Sequence, residues 1–367
     1  MFVKKGEVVR DFFNDLKTVV EINSYTKNKP GVDRVGKVFR EWFEEIGFKT
    51  KIFHRELIGD HLLFTSDKKD GKKILFLGHL DTVFPKGEFE EYSEDELWVY
   101  GAGVCDMKGG ILVALQALRE QKKKIYNIDI LLVSDEETGS DDSKLLTKEL
   151  AKDYDECFVF EAAGEKLEVV VGRKGVGTFF IDIVGKASHS GVRYSDGIDA
   201  NLEASHKLIR LQALTDIKKA TTVNVGKIEG GIGANTISPK AKLTFEIRYE
   251  LASERDRVLK AIEEIVNHSF VKGTKSTLSG GIQRDVMEQN QNQLKLIKEL
   301  ETITNQKIPF EKRGGVSDAN IVASCGVTTL DGLGPFGDGD HTVYERALKS
   351  SFKSRIELMK KYIEYCL

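Results

Sequence analysis

Four short apolar runs recur along the first half of the chain with helical pattern between them: HLLFTS (61 to 66), KILFLG (73 to 78), IDILLVS (128 to 134) and CFVFE (157 to 161). Near-continuous apolarity over five or six residues is what a strand covered on both faces requires, whereas a strand with one wet face alternates. The intervening GGILVALQALRE reads as a helix. Two amphipathic stripes come before the strands. One runs through Val8, Val9, Phe12, Phe13, Leu16, Val19 and Val20, the other through Val35, Val38, Phe39, Trp42, Phe43 and Ile46, with Gly47 placed to close it. The order predicts an α/β domain with a mostly parallel sheet flanked by helices.

The texture changes near Val176. TFFIDIVG, TTVNVGKIEG and AKLTFEIRYE alternate apolar with polar residues, as half-exposed strands do. Strand (176 to 184), helix (199 to 214), strand (221 to 229), strand (240 to 249), helix (252 to 267) and strand (274 to 284) spell βαββαβ, a ferredoxin-like α+β module. Helical pattern then returns at NQLKLIKELETIT and in SSFKSRIELMKKYIEYC. The module is therefore read as an insertion, residues 176–285, into a domain made of 1–175 plus 286–367.

A chain of 367 residues exceeds what one core usually holds, which agrees with two domains. Its 55 basic and 58 acidic side chains leave a formal charge of −3, and no basic block is present to follow a phosphate backbone. Nucleic acid is excluded as a partner on that ground. The first stripe is broken by charges, unlike a secretion signal, and no apolar run reaches membrane-spanning length. Cys105, Cys157, Cys325 and Cys366 show no CxxC spacing. A cytoplasmic protein without a membrane partner is the expectation.

Polar residues stand where the apolar runs stop: His79 and Asp81 after ILFLG, Asp135, Glu136 and Glu137 after ILLVS, Glu161 after CFVF. In an open parallel sheet these ends share one crevice. Asp106 precedes a predicted helix starting near Met107, and His341 lies in the glycine-rich GLGPFGDGDHT. Singly, Asp106 reads as a helix N-cap, the glutamates as a solvated turn, and the histidines as a satisfied core residue and a surface residue. Together they place several carboxylates and two imidazoles at one rim, where side-by-side ionisation calls for cations. Oxygen and nitrogen donors without thiolate suit zinc. Strand period also puts residues 79 and 81 on one side.

In chain order, GHLDTV, GAGVCDMKGG, SDEETGS, VFEAA, GKASHSG, GANTISPK, GGVSDAN and GDGDHT resemble the motifs of the dinuclear zinc peptidases that include aminoacylase, succinyl-diaminopimelate desuccinylase and glutamate carboxypeptidase. The likeness spans about Gly78 to Thr342 and is greatest to the glutamate-carboxypeptidase-like branch. It implies that Asp106 bridges two zinc ions, with His79 and Glu161 completing one site and Glu137 and His341 the other. Cobalt or manganese would be possible substitutes. It further implies Asp81 as the acid orienting His79, Glu136 as general base, His189 as oxyanion contact, and Asn235 and Arg248 as contacts to a substrate carboxylate. Arg284 and Arg313 are further candidates for that carboxylate, while Ser317 and Asp318 match a segment near the rim without an assigned step. The activity implied is hydrolysis of an amide or peptide bond in a small peptide or N-acyl amino acid with a free carboxylate, carboxypeptidase-like. Tripeptide aminopeptidase and N-acyl-amino-acid deacylase activities are the neighbouring readings, and a homodimer through the inserted lid is implied as well. A non-catalytic relative would have lost the base or a ligand, and neither is lost here.

Overall fold

The computed structural model describes residues 11–367, so Val8 and Val9 of the first stripe lie outside the described residues. The chain divides into two compact units. One runs to Val171 and resumes at Gln289–Lys312 and Ser317–Leu367; the other is Gly172–Glu288 with Arg313–Val316. The inserted unit thus starts before its first alternating strand and takes in a short later segment. Backbone pairing accounts for this, because Lys174 donates its N–H to the carbonyl of Arg313 at 3.2 Å and Arg173 pairs with Met287.

In the first unit, helix Phe12–Val20 buries Leu16, Val19 and Val20. Helix Lys29–Glu45 has a proline in its first turn and buries Val35, Phe39, Trp42 and Phe43. Gly47 follows at φ +94°, the left-handed conformation that ends a helix and that glycine adopts without penalty. The six-stranded sheet runs in the order Lys49–Phe53, His61–Thr65, Ile128–Val133, Ile74–His79, Glu156–Val159, Thr328–Leu330. The last four are mutually parallel, and the first two are added at one edge, each antiparallel to its neighbour, so that only His61–Thr65 runs against the rest. The strand Ile74–His79 is buried along its whole length, as its unbroken apolarity requires.

Helix Lys108–Arg119 lies over this strand with all but Gln116 and Arg119 buried, and helix Lys349–Cys366 packs against it. A β-carbon at Gly110 would stand 1.9 Å from the carbonyl oxygen of Phe160, so the helix approaches the strand end as closely as only glycine allows. Phe76 meets Phe160 and Phe158 edge-on, with centroids 5.1 and 6.0 Å apart. Each such fully buried side chain contributes roughly 1.5 to 3 kcal/mol.

The second unit has a four-stranded antiparallel sheet in the order Thr222–Gly230, Lys240–Tyr249, Gly175–Val184, Lys275–Arg284. Helices Ala200–Gln212 and Ala252–Asn267 pack against it. The core is made by alternate residues, Phe179, Ile181 and Ile183 facing Leu243, Phe245 and Ile247. This is the predicted βαββαβ order. Among the described residues no helix is long and apolar enough to cross a membrane.

Candidate metal centre

The carboxyl ends of the parallel strands bring the sequence-flagged residues of the first unit together. His79 is the last residue of its strand and is 1% exposed. Glu136 and Glu137 open a one-turn helix, Glu136–Thr138, just beyond Ile128–Val133. Glu161 lies two residues beyond Glu156–Val159 rather than within that strand. His341 sits between the short strands Gly337–Asp338 and Arg346–Leu348.

Asp106 stands at the centre. Its Oδ1 lies 3.1 Å from His79 Nε2, and its Oδ2 lies 3.2 Å from His341 Nε2. Glu161 Oε1 is 3.8 Å from His79 Nε2, and Glu137 Oε2 is 3.1 Å from His341 Nε2. Ligand-type atoms of His79, Asp106 and Glu137 all fall within 4.8 Å of one another. Helix capping does not account for Asp106, because the helix starts at Lys108 with Met107 in the cap position. Its carboxylate oxygens face imidazoles instead.

Asp81 requires a correction to the strand-period expectation. The strand ends at His79, so Asp81 reaches the imidazole from the segment that follows. His79 Nδ1 stands 3.0 Å from the Asp81 carbonyl oxygen and 3.4 Å from Oδ1. A hydrogen on Nδ1 directed at Asp81 leaves the Nε2 lone pair facing Asp106 and Glu161. The Asp81 carboxylate is itself held by Thr26 Oγ1 at 2.7 Å and by the N–H groups of Glu136 and Glu137 at 3.3 and 3.2 Å.

Electrostatics favour a cation here. Burial, and then the charge of Asp106, push the Glu137 carboxyl up to about 8, with Glu136 adding to it. Burial and Asp106 also raise Glu161 well above the carboxylate range. Burial works against the charge of Asp106, yet bonds from His341 and His79 hold it well below that range. Bonds to Asp106 and Glu137 push His341 up to about 11. The protein atoms alone crowd more negative charge together than they can neutralise. Two imidazoles and three carboxylates, with the second nitrogen of His79 already oriented by Asp81, fit one or two divalent cations.

A family model described as a peptidase dimerisation domain of the M20 group matches residues 171–274, most of the second unit. Carboxypeptidase G2 of Pseudomonas sp. (strain RS-16) is 28% identical over 89% of this chain and 82% of its own length. Over most of its length the chain is similar to M20 peptidases. Its homologues and structural neighbours are hydrolases of the metallopeptidase class. Among solved structures, aminopeptidase PepT from Bacillus cereus ATCC 10987 superposes with a TM-score of 0.80 at 21% identity, covering 96% of this chain and 97% of that one. The Bacillus subtilis YXEP protein, described as a dinuclear metal-binding M20 peptidase, gives 0.70 at 13% identity over 97% of each chain.

In the second unit, His189 and Asn235 are neighbours on two exposed loops. His189 pairs with Thr236, and Ser190 N–H donates to the Asn235 carbonyl at 2.9 Å. Gly191 N–H donates to His189 Nδ1 at 3.1 Å, which leaves the ring hydrogen on Nε2, the nitrogen able to donate. Arg248 stands apart from that pair. Its guanidinium grips Glu246 through Nε at 2.7 Å and a terminal nitrogen at 3.3 Å, and donates to the Gly314 carbonyl at 3.1 Å. A substrate carboxylate at Arg248 therefore competes with Glu246. Two residues escaped the sequence reading. Thr26 carries no motif, and Glu345 is a lone acid four positions beyond His341 whose importance only its burial reveals.

Proposed function

We propose that this chain is an M20 hydrolase, a cytoplasmic, two-zinc exopeptidase of carboxypeptidase type, cleaving the amide bond of a small peptide or N-acyl amino acid that has a free carboxylate. The observation that carries the reading is the division of Asp106, with one oxygen toward His79 and the other toward His341. On this reading His79 and Glu161 would hold one cation, Glu137 and His341 the other, and Asp106 would serve both. Bound there, the pair supplies Lewis acidity toward an amide carbonyl and toward water. Glu136 takes a proton from the attacking water on its carboxylate and returns it to the leaving amine. Asp81 keeps the His79 ring in the tautomer that leaves Nε2 free to ligate. His189, through Nε2–H, stabilises the oxyanion. Asn235 and Arg248 grip the substrate carboxylate, Arg248 by exchanging it for Glu246.

The relation to carboxypeptidase G2 supports cleavage next to a free carboxylate, whereas the likeness to PepT supports the second reading, an aminopeptidase acting on short peptides. Turnover of dipeptides, tripeptides and N-acyl amino acids, each beside its carboxyl-amidated analogue, separates them. The carboxypeptidase reading expects the amidated series to be poor substrates and fails if both series are cleaved equally. Metal analysis after zinc is resupplied should give two equivalents per chain; a maximum of one removes the two-cation reading.

A further inference from the structure

We infer that Glu345 is a positioning residue that couples the His341 side of the centre to Asp106, so that its loss weakens one of two cation sites selectively. This rests on the two-cation reading above. Glu345 is 1% exposed. Its Oε1 accepts N–H groups from Gly103 at 3.1 Å, Cys105 at 3.0 Å and Asp106 at 3.1 Å, and Oε2 lies 3.0 Å from Gly103 N. The segment that ends in Asp106 is therefore wrapped around one carboxylate. Gly103 is at φ +87° in this turn, so its N–H is aimed inward by a backbone conformation that glycine adopts freely.

Topology explains why this acid belongs to the His341 side. Strands Trp98–Tyr100 and Arg346–Leu348 are antiparallel neighbours, with Tyr100 opposite Arg346. The Asp106 segment leaves the first strand at the end where Glu345 enters the second. Glu345 also closes the His341 turn, donating its N–H to the Thr342 carbonyl at 3.1 Å and offering its own carbonyl to Gly101 N–H at 3.3 Å.

The two halves of the centre differ in how they are held. His79 is seated in a buried strand, and the Glu161 carbonyl is fixed by Gly334 N–H at 2.8 Å. His341 instead has a side chain 60% exposed and a backbone at φ +62°, a left-handed conformation that a non-glycine residue keeps only where its neighbours impose it. Removing the Glu345 carboxylate frees the Asp106 segment from the His341 turn while the backbone bonds of residue 345 remain, so the cation held by Glu137, Asp106 and the exposed His341 loses the tie that fixes its ligands to one another. The other side shares Asp106 but keeps His79 in its buried strand and Glu161 held at its carbonyl.

The test is competition of metal-free protein with a chromophoric chelator for zinc. The wild type should show two sites. Glu345→Ala should weaken one of them by about 10- to 100-fold, the usual cost of losing a partner that orients a ligand, and leave the other nearly unchanged. Glu345→Gln, which retains the oxygen taken by the N–H groups, should restore both. The double variant Glu345→Ala with His341→Ala should bind no more weakly than His341→Ala alone. Should the alanine variant not fold, Glu345→Asp, which withdraws the carboxylate by one methylene, takes its place with the same expectation. Equal weakening of both sites, or two intact sites, overturns the inference alone. A wild type that binds fewer than two equivalents overturns the two-cation reading and this inference together.

Discussion

Asp81 joins a hydroxyl, two backbone N–H groups and an imidazole in one buried carboxylate, and so links His79 to the turn that carries Glu136 and Glu137. Asp81→Asn keeps the shape but presents an amide to Nδ1; metal affinity should fall about 10- to 100-fold, measurable by chelator competition. The adjacent glutamates should respond differently. Glu137 meets His341, and its change to alanine should lose metal. Glu136→Gln should keep metal content and cut turnover by at least about a hundredfold, the scale of a general base. Near-normal turnover in that variant would make the assignment of base and ligand wrong. The sequence flagged both glutamates as an acidic pair after a strand. Which of them faces a histidine depends on the winding of a one-turn helix, which no local pattern specifies.

At the scale of elements, the helix beginning at Lys108 depends on the missing side chain at Gly110. Gly110→Ala sets a methyl 1.9 Å from the Phe160 carbonyl oxygen, so backbone has to move. A cost of about 1 to 3 kcal/mol or more in urea unfolding is expected, as for other overpacked sites. In the second unit, Glu254 in the first turn of Ala252–Asn267 is bound by Arg257, Lys219 and Thr221. Arg257 first, then Lys219 and Thr221, hold its carboxyl at about 2 against an ordinary 4.5, with burial opposing them. A folded value below the unfolded one means that this stabilisation is fully present above pH 4.5 and is lost as pH falls toward about 2. Glu254→Gln should cost about 1 to 3 kcal/mol at neutral pH, and its deficit against the wild type should shrink through that window. A deficit that does not change with pH would show that charge is not what Glu254 contributes.

At the scale of the whole molecule, strands Thr222–Gly230 and Lys275–Arg284 are the edges of the second unit's sheet. Exposed edges invite pairing. With the dimerisation-domain match, they support a homodimer through this unit, and sedimentation at micromolar concentration should give twice the chain mass; a monomer at every concentration removes it. Element types, the mostly parallel sheet and the inserted βαββαβ order were legible in the sequence, because burial on one face or two imposes a period on each segment locally. So were the positions of His79, Glu136, Glu137 and Glu161, since a polar residue that stops an apolar run stands at a strand's carboxyl end. The tertiary structure alone decided that Asp81 acts from beyond the strand, that Arg248 already grips Glu246, and that Glu345 anchors Asp106 across 239 positions of chain. Those contacts are made by loops whose course is set by strands closing together in space, and a pairing of distant segments leaves no period in either of them.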